Sequence, residues 1–473
     1  MARTTHSLGF CPEIFVVKIK MKTKYEIDMS EGALFTKLVR VAFPVMLSGI
    51  LQLAFNACDL IVVGRFAGET ALAAVGSNSA LVSLIINVLL GICTGTSVII
   101  ARYYGAKDEN SLQKTVCTSV TIGLVGGVIF ALIGIFAAEP LLRLMGTPEE
   151  VLPLAALYLR IYFAGLPVLE LYNFSSAILR AVGDTRRPLY FLALAGVINI
   201  FLNLFFVVVV HISVAGVALA TVLSQCVSCV LVLITLIRSD GIYRLDMKNF
   251  HFSFNAFKQI MRIGLPAGIQ SSLFSVSNVI IQSSINSFGA VVMAGNSAAS
   301  SVESFIFTSL DAVNQSSISS ISQNMGARAY PRTKKSVRYC LLIELVLGEG
   351  MGWLMILAGR FLLGLYTTDA QAIEAGMVRV MIMGFLYCTN GMQHMMGGVM
   401  RAHGYSLLPT AVTFIGICGF RIFWIFTVFA SHRSLEILYA SYPISWVITF
   451  IAQGSCYLLL RNKAFELNEK KMI

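Results

Sequence analysis

The chain is poor in charged residues. Only 12% of its 473 residues are charged and 57% are hydrophobic, whereas soluble globular proteins carry about 25% charged residues. A long hydrophilic linker is also missing, although soluble chains usually divide into domains beyond about 300 residues. These shortages exclude an ordinary soluble protein, because the surplus of apolar surface, with a mean hydropathy of +0.79, must face lipid.

Regular alternation of apolar and polar residues is missing as well, which excludes a membrane-spanning β-barrel. The chain has continuous apolar runs of about 20 residues or more, the length that a helix needs to cross a bilayer. A spanning chain that is not a barrel must be helical. Twelve such runs lie at about 35–63, 71–101, 115–138, 152–179, 188–211, 214–237, 260–285, 292–322, 337–359, 373–400, 408–431 and 436–460.

The motifs of enzymes and of ATP-driven pumps are absent from the sequence. It contains neither the HExxH pattern of metalloproteases nor the GxSxG pattern of hydrolases, and no GxxxxGK[ST] nucleotide loop. The loop at 102–114 also lacks the DRxGRR-like basic motif of sugar-type facilitators. We therefore expect neither an enzyme nor a bound cofactor, and an energy source other than ATP.

Positive charge lies mainly in short loops on one side of the spans. The net charge is +11, but the lysines and arginines recur after every second span, so we predict no nucleic-acid partner. Basic loops stay in the cytoplasm, which predicts cytoplasmic termini and a multi-pass protein of the plasma or inner membrane. The arginines assigned to or near the outer side are Arg65, Arg143, Arg160, Arg360, Arg379 and Arg433, and Arg421 lies within a span.

The second half of the chain repeats the first. Charged and turn residues match at nearly one offset, which chance similarity between apolar segments does not explain. At an offset of 221 residues the matched stretches are 105–106 with 326–327 and 180–183 with 401–404, and at an offset of 222 Pro44 matches Pro266. Each half has six spans, so both enter the membrane in the same orientation and are related by a pseudo-two-fold axis along the membrane normal.

We therefore expect an all-α polytopic membrane protein with two parallel six-helix lobes around a central cleft. Rocking of the lobes about this cleft would expose a central site alternately to the two sides of the membrane. The predicted units are an N-terminal extension at 1–34, an N-lobe at 35–237, a linker at 238–259, a C-lobe at 260–460 and a tail at 461–473.

Three stretches resemble the multidrug and toxic compound extrusion (MATE) family. They are residues 44–65 (PVMLSGILQLAFNACDLIVVGR), 105–107 (GAK) and 178–188 (ILRAVGDTRRP). Together with the repeat, the resemblance covers about residues 35–460. It implies a V-shaped fold of twelve transmembrane helices and the export of organic cations and drugs in exchange for protons or sodium ions.

Two places depart from the family pattern. Members of the archaeal type carry an Asn in the fifth helix that is followed four residues later by an Asp, whereas here Asn199 is followed by Asn203. The seventh helix lacks the acidic residue of many relatives and offers Gln270, Asn278 and Gln282. An ion mechanism that depends on those two carboxylates is therefore in doubt.

Polar residues of the first predicted helix cluster on one face. Gln52, Asn56 and Asp59 are spaced by four and three residues, which places them on one side of a helix. An ionisable residue within a span is costly and indicates function. We predict that Asp59 binds a proton, a sodium ion or a cationic substrate, and that Asn199 and Asn203 complete this site. The alternatives are a carboxylate satisfied by water and asparagines that join helices.

The second half carries acidic residues at different positions. Asn314 falls near the face of Glu303 on the eighth predicted helix, and Asp311 lies about 80° away from Glu303. The residues that correspond to Asp59 and Glu303 in the other half are apolar, so each lobe is predicted to have its own acidic site. A wall for the substrate is predicted from Asn278, Gln282, Tyr387, Asn390 and His394.

Charge within the spans is predicted to be mainly acidic, with Arg421 in a structural ion pair with Glu349 or Glu303. We therefore expect a monomer that exchanges cationic, amphipathic compounds for protons or sodium ions, with Asp59 as the candidate for binding sodium. The sequence identifies neither the drug nor the coupling ion. The alternative is a flippase or exporter of a lipid-linked oligosaccharide or another amphipathic metabolite, whose anionic cargo would favour a cationic cavity.

The first 20 residues are predicted to be dispensable. A short apolar patch, Ile14–Val17, precedes a lysine-rich run and is too short for the apolar core of a signal peptide, and Met21 resembles an ordinary start. We expect a chain that begins at Met21 to insert and transport like the longer chain. Membrane abundance and dye efflux of the two forms test this, and loss of either on truncation would contradict it.

Overall fold

A computed structural model of the protein describes residues 25–471, which are almost entirely helical. The helices of the first half are α1 (Leu34–Phe66), α2 (Glu69–Ala106), α3 (Glu109–Leu144), α4 (Leu152–Ala164), α5 (Leu166–Ala181), α6 (Arg186–Leu204) and α7 (Ser213–Arg238). Those of the second half are α8 (Phe254–Asn286), α9 (Ala290–Gly326), α10 (Tyr330–Leu357), α11 (Gly359–Gly364), α12 (Ala370–Gly384), α13 (Tyr387–Ala402), α14 (Leu407–Thr413), α15 (Phe420–Trp424) and α16 (Leu435–Lys471). Turns of π-helix extend three of these helices at Phe205–Val209, Phe414–Gly419 and Ile425–Phe429.

The helices are long enough to cross a membrane. Within residues 25–471, eight are both long and apolar enough on their own, and two bent pairs bring the number to ten. The pairs are α4 with α5, bent by 46°, and α12 with α13, bent by 55°. The remaining two, α8 and α9, have 33 and 37 residues and are richer in serine and amide side chains. The twelve predicted spans correspond to these helical units.

Glycines let the helices of the N-lobe pack closely. A Cβ at Gly127 of α3 would lie 2.6 Å from the Cα of Pro167, and one at Gly134 would lie 2.3 Å from the ring of Phe163. Helices in a membrane associate through such close packing, because lipid tails are as apolar as the side chains and the hydrophobic effect does not drive the helices together. Small residues on α3 thus fix α4 and α5 in place.

The internal repeat is visible in the backbone. Three pairs of residues with a positive backbone φ are separated by 221 positions, and the two members of each pair lie at the same turn in the two lobes. The pairs are Gly68 with Gly289, Lys107 with Arg328, and Gly183 with Gly404. A positive φ is uncommon for residues with a side chain, so its recurrence at Lys107 and Arg328 supports a duplicated fold of two parallel lobes.

The two lobes meet at one end of the molecule, which we call the basic end because it carries most lysines and arginines. A Cβ at Gly105 of the N-lobe would lie 2.0 Å from the carbonyl oxygen of Gln323, and one at Gly326 of the C-lobe 1.9 Å from that of Arg102. These two contacts are related by the repeat. The guanidinium of Arg102 also crosses the interface and donates to the carbonyl oxygen of Ala402 at 2.7 Å. The lobes separate towards the opposite, open end, which gives a V shape.

Residues 25–33, which we call the N-terminal strap, bridge both lobes at the basic end. The backbone N–H of Ile27 donates to Val182 of the N-lobe at 3.4 Å. That of Met29 donates to Gln323 Oε1 of the C-lobe at 2.8 Å, and Met29 is fully buried. Glu26 accepts from the Tyr243 hydroxyl at 3.0 Å, and burial raises the pKa of this carboxyl. Part of the predicted N-terminal extension is therefore packed between the lobes, whereas residues 1–20 lie outside the described residues.

Two predicted boundaries differ from the helix ends. Helix α8 begins at Phe254, inside the predicted linker 238–259, where Ser253 caps it by accepting from the backbone N–H of Ala256. Helix α16 continues through the predicted tail to Lys471. Asn468 fixes this extension to the C-lobe by donating to the carbonyl oxygen of Met325 at 2.8 Å.

Substitution of Gly326 by alanine is expected to open the basic end. The new Cβ would meet the backbone of Arg102, which cannot move aside as a flexible side chain can. Spin labels at Lys107 and Arg328 in a cysteine-free background should then show a longer distance. Gly454→Ala is the matched control, because a Cβ there meets nothing within 4 Å. An unchanged distance in Gly326→Ala would contradict this prediction, because it would show that the interface accommodates the added methyl group without separation of the lobes.

Candidate functional site

Two cavities lie at the centre of the molecule. The N-lobe cavity, about 660 Å³, is lined mainly by α1, α2, α4, α5, α6 and α7. The C-lobe cavity, about 700 Å³, is lined mainly by α8, α9 and α13 of the C-lobe and by α2 of the N-lobe, with further residues from α12, α15 and α16. The two share the lining residues Leu90, Arg180, Thr308, Asp311 and Gln315, so they meet between the lobes.

The carboxylate of Asp59 in the N-lobe cavity is held by neutral donors. Its Oδ1 accepts from Asn203 Nδ2 at 2.5 Å, and its Oδ2 accepts from Thr221 Oγ1 at 3.4 Å. Asn203 Nδ2 also donates to Asn199 Oδ1 at 3.2 Å, and Asn199 Nδ2 donates to Thr221 at 3.5 Å. Helices α1, α6 and α7 thus meet at one carboxylate, which has no cationic partner among the described residues.

The other polar residues predicted on α1 lie deeper in the same cavity. Asn56 and Gln52 line it about one and two turns from Asp59, away from the open end. On α6 the site ends where the helix widens into the π-turn Phe205–Val209. Such turns are frequent at functional sites, because the extra residue changes the direction of neighbouring side chains.

In the C-lobe cavity Glu303 forms a buried ion pair. Both of its carboxylate oxygens accept from Arg379, from Nε at 2.7 Å and from Nη2 at 2.7 Å. Arg379 Nη1 donates to Asn296 Oδ1 at 2.6 Å, and Tyr439 donates to the same oxygen at 3.2 Å. A bidentate arginine–carboxylate ion pair is among the strongest side-chain contacts, and here it joins α9 to α12.

Asp311 lies where the two cavities meet. Its Oδ1 contacts His394 Nε2 at 3.1 Å and accepts from Asn314 Nδ2 at 3.1 Å. The ring of His394 in turn packs against Phe307, with 5.5 Å between the ring centroids. Asp311, Asn314 and His394 are thus brought together in the path between the lobes.

The five residues predicted as a substrate wall all line the C-lobe cavity: Asn278, Gln282, Tyr387, Asn390 and His394. All five have hydrogen-bond partners: His394 contacts Asp311, as described above, and Asn390 accepts from Gln393 at 3.4 Å. Tyr387 donates to the backbone carbonyl of Glu303 at 3.2 Å, Gln282 Oε1 accepts from Asn296 at 3.1 Å, and Asn278 accepts from Arg421 at 3.5 Å.

Two arginines have partners that the sequence did not predict. Arg379, assigned to or near the outer side, is 7% exposed and pairs with Glu303. The expected ion pair of Arg421 was wrong, because Arg421 pairs with neither Glu349 nor Glu303. Its partners are Ser445 Oγ at 3.1 Å, Asn278, and the face of Tyr442 with 4.1 Å between Cζ and the ring centroid.

The charge on the walls of the C-lobe cavity is not mainly acidic. The walls of the C-lobe cavity contain two carboxylates, Glu303 and Asp311, and a larger set of guanidinium groups, Arg180, Arg379, Arg401 and Arg421. Within residues 25–471, no group of three His, Cys, Asp or Glu side chains is arranged to hold a metal ion.

Three further polar residues were not assigned to a site from the sequence. Thr221 contacts Asp59, but a threonine in an apolar span gives no signal of its own. Glu170 and Glu344 are fully buried in α5 and α10, and the cost of a carboxyl group within a span could have pointed to them. Asn173 donates to Glu170 at 3.2 Å.

Two parallel lobes of membrane-spanning helices, with polar cavities that meet between them, define a polytopic membrane transporter. The MatE family model matches residues 44–205 and again residues 266–427, well over half of the chain. The chain belongs to this family, as the resemblance predicted, and is a transporter rather than an enzyme.

Curated relatives match over most of their length. The "Probable multidrug resistance protein YoeA" of Bacillus subtilis (strain 168) is 29% identical over 86% of this chain and 90% of its own. The "Probable multidrug resistance protein NorM" of Thermotoga maritima is 25% identical over 82% of this chain and 84% of its own. A solved structure described as the "outward-facing conformation of a multidrug resistance MATE family transporter of the MOP superfamily" superposes with a TM-score of 0.85. It is 22% identical and covers 95% of this chain and 100% of its own, which shows the shared fold.

Removal of Arg379 is expected to destabilise the protein. Arg379→Met leaves the buried carboxylate of Glu303 without a partner, which typically costs about 3–5 kcal/mol. The double variant Glu303→Gln with Arg379→Met should recover much of this loss. Melting temperatures in detergent provide the measurement.

The exposed pair of Arg360 with Glu374, 3.0 Å apart with side chains 73% and 60% exposed, is the matched control. Its removal should cost about 1 kcal/mol or less. A double variant no more stable than Arg379→Met alone would contradict the assigned compensation.

Proposed function

We propose that the protein is a secondary active antiporter that exports cationic, amphipathic organic compounds in exchange for protons or sodium ions. The observation that supports this most is Asp59, a carboxylate on the wall of a cavity whose partners are the neutral groups of Asn203 and Thr221. A carboxylate within a membrane attracts either a small cation or an organic cation. Because the two cations compete for one negative charge, binding of one favours release of the other.

The distribution of charge supports an orientation with the basic end in the cytoplasm. Both termini are then cytoplasmic, and the lobes are closed on the cytoplasmic side and open to the outside. In this state an organic cation leaves the cavity and the coupling ion reaches Asp59. Rocking of the lobes would carry the occupied carboxylate to the other side.

The names of the relatives support drugs as the substrates. Both curated relatives reported above are called probable multidrug resistance proteins, which favours this function over the flippase alternative. We further propose the cell membrane as the location. Because one chain contains both lobes and both cavities, a monomer suffices for the transport cycle.

Asp59→Asn is expected to abolish efflux of ethidium from cells without lowering the amount of protein in the membrane. The amide keeps the size of the carboxylate and one of its two acceptor oxygens but removes its charge. Glu149→Gln is the control, because Glu149 is an exposed acid whose partner is Arg143. Ethidium efflux that survives in Asp59→Asn would contradict the role assigned to this carboxylate.

The coupling ion is tested in inverted vesicles that are given a pH gradient or a sodium gradient separately. We expect one of the two gradients to drive ethidium accumulation in vesicles with the unaltered protein and not in vesicles with Asp59→Asn. Accumulation that needs neither gradient would contradict antiport.

A further inference from the structure

Arg421 is a buried cation that lacks an acidic partner. Its side chain lies on the wall of the C-lobe cavity and is 2% exposed. Its partners among the described residues are the hydroxyl of Ser445, the amide oxygen of Asn278 and the ring of Tyr442, all of them uncharged. A lone cation in the interior of a membrane protein is costly, so a function is needed to explain why this one is present.

The nearby acids are already occupied. Both oxygens of Glu303 bind Arg379, so their charges compensate each other. Asp311 contacts His394 and accepts from Asn314. The positive charge of Arg421 is therefore not balanced by a residue that touches it.

The internal repeat relates Arg421 to a residue of the Asp59 cluster in the N-lobe. The two matches to the family model, 44–205 and 266–427, are offset by 222 residues. At this offset Arg421 corresponds to Asn199, and Asn278 corresponds to Asn56. The N-lobe uses these positions around the acid Asp59, whereas the C-lobe has a guanidinium there. Each charge thus has an uncharged counterpart in the other lobe, Asn199 for Arg421 and Ile281 for Asp59, and the two equivalent regions carry charges of opposite sign.

We propose that the C-lobe cavity contains an anion subsite, in which Arg421 binds the carboxylate of an amphipathic aromatic substrate. Two of the five N–H donors of this guanidinium have protein acceptors. The remaining donors can bind a carboxylate in a planar, bidentate arrangement. Phe274, Tyr442 and Trp446 line the same cavity and offer aromatic faces for the body of the ligand. The proposal depends on the proposed function only in assuming that the bound compound is exported; the binding itself does not depend on it.

Binding of two matched dyes tests the subsite without any ion gradient. Tetramethylrhodamine has a free carboxylate, and its methyl ester differs only in lacking that negative charge. Fluorescence anisotropy with purified full-length protein gives the Kd of each dye. We expect Arg421→Gln to raise the Kd of the acid about tenfold or more, which corresponds to about 1.4 kcal/mol, and to change the Kd of the ester less than about twofold.

Two further variants keep the result interpretable. Arg421→Lys keeps the charge and loses the planar geometry, so the acid should bind with intermediate affinity; this variant also carries the test if Arg421→Gln does not fold. Arg360→Gln removes the same charge from a 73% exposed side chain and should leave both dyes unaffected. An acid Kd that does not change in either Arg421 variant, or an equal loss for acid and ester, would overturn the proposal.

The outcome is separable from that of the proposed function. Asp59→Asn should weaken binding of the ester, which has only a positive charge. If the ester does not depend on Asp59 while the acid depends on Arg421, the antiport proposal fails and the anion subsite stands. If only the Asp59 effect is found, the subsite alone is refuted.

Discussion

The two lobes touch through their backbones, and the rest of the structure depends on this close approach. Gly105 and Gly326 bring carbonyl groups of the opposite lobe to distances that no side chain would permit. Gly91 of α2 and Gly268 of α8 meet in the same way. An interface of small residues can be tight without the interdigitation of large side chains that would make separation slow. The V shape, the cavities at its centre and the separation at the open end all follow from where these glycines lie.

Charge is distributed differently in the two lobes, although their scaffolds are equivalent. Among the residues that line the N-lobe cavity, Asp59 is the one carboxylate from the N-lobe itself, whereas the C-lobe cavity is lined by the compensated pair of Glu303 with Arg379 and by the additional guanidinium of Arg421. Duplication supplied two copies of the same helices, and substitution at a few positions gave them opposite polarity. A cavity formed by both can recognise different parts of one amphipathic molecule.

Periodicity and internal comparison were sufficient to predict the fold, because spans, loops and the repeat all leave local patterns in the sequence. The cluster around Asp59 was also accessible, since residues three and four apart share a helix face. The ion pair of Arg379 was not, because this residue lies only a few residues inside its span, and a hydropathy pattern does not show whether an arginine there faces water or a carboxylate on another helix. The partners of Arg421 lie on other helices, and the partner of Met29, Gln323, is 294 positions away in the sequence. Such contacts depend on the packing of whole lobes and leave no local trace.

The N-terminal strap has a consequence for the biogenesis of the protein. Its residues leave the ribosome before either lobe, but one set of their docking partners, at Gln323 and Arg332, is synthesised only after the N-lobe and helix α8 of the C-lobe. Since domains generally fold as units from the N-terminus during synthesis, the strap must wait at the membrane surface while most of the helices insert. A segment that is translated before both lobes is thus among the last to be packed, and its docking marks the point at which the two lobes have been joined into one molecule.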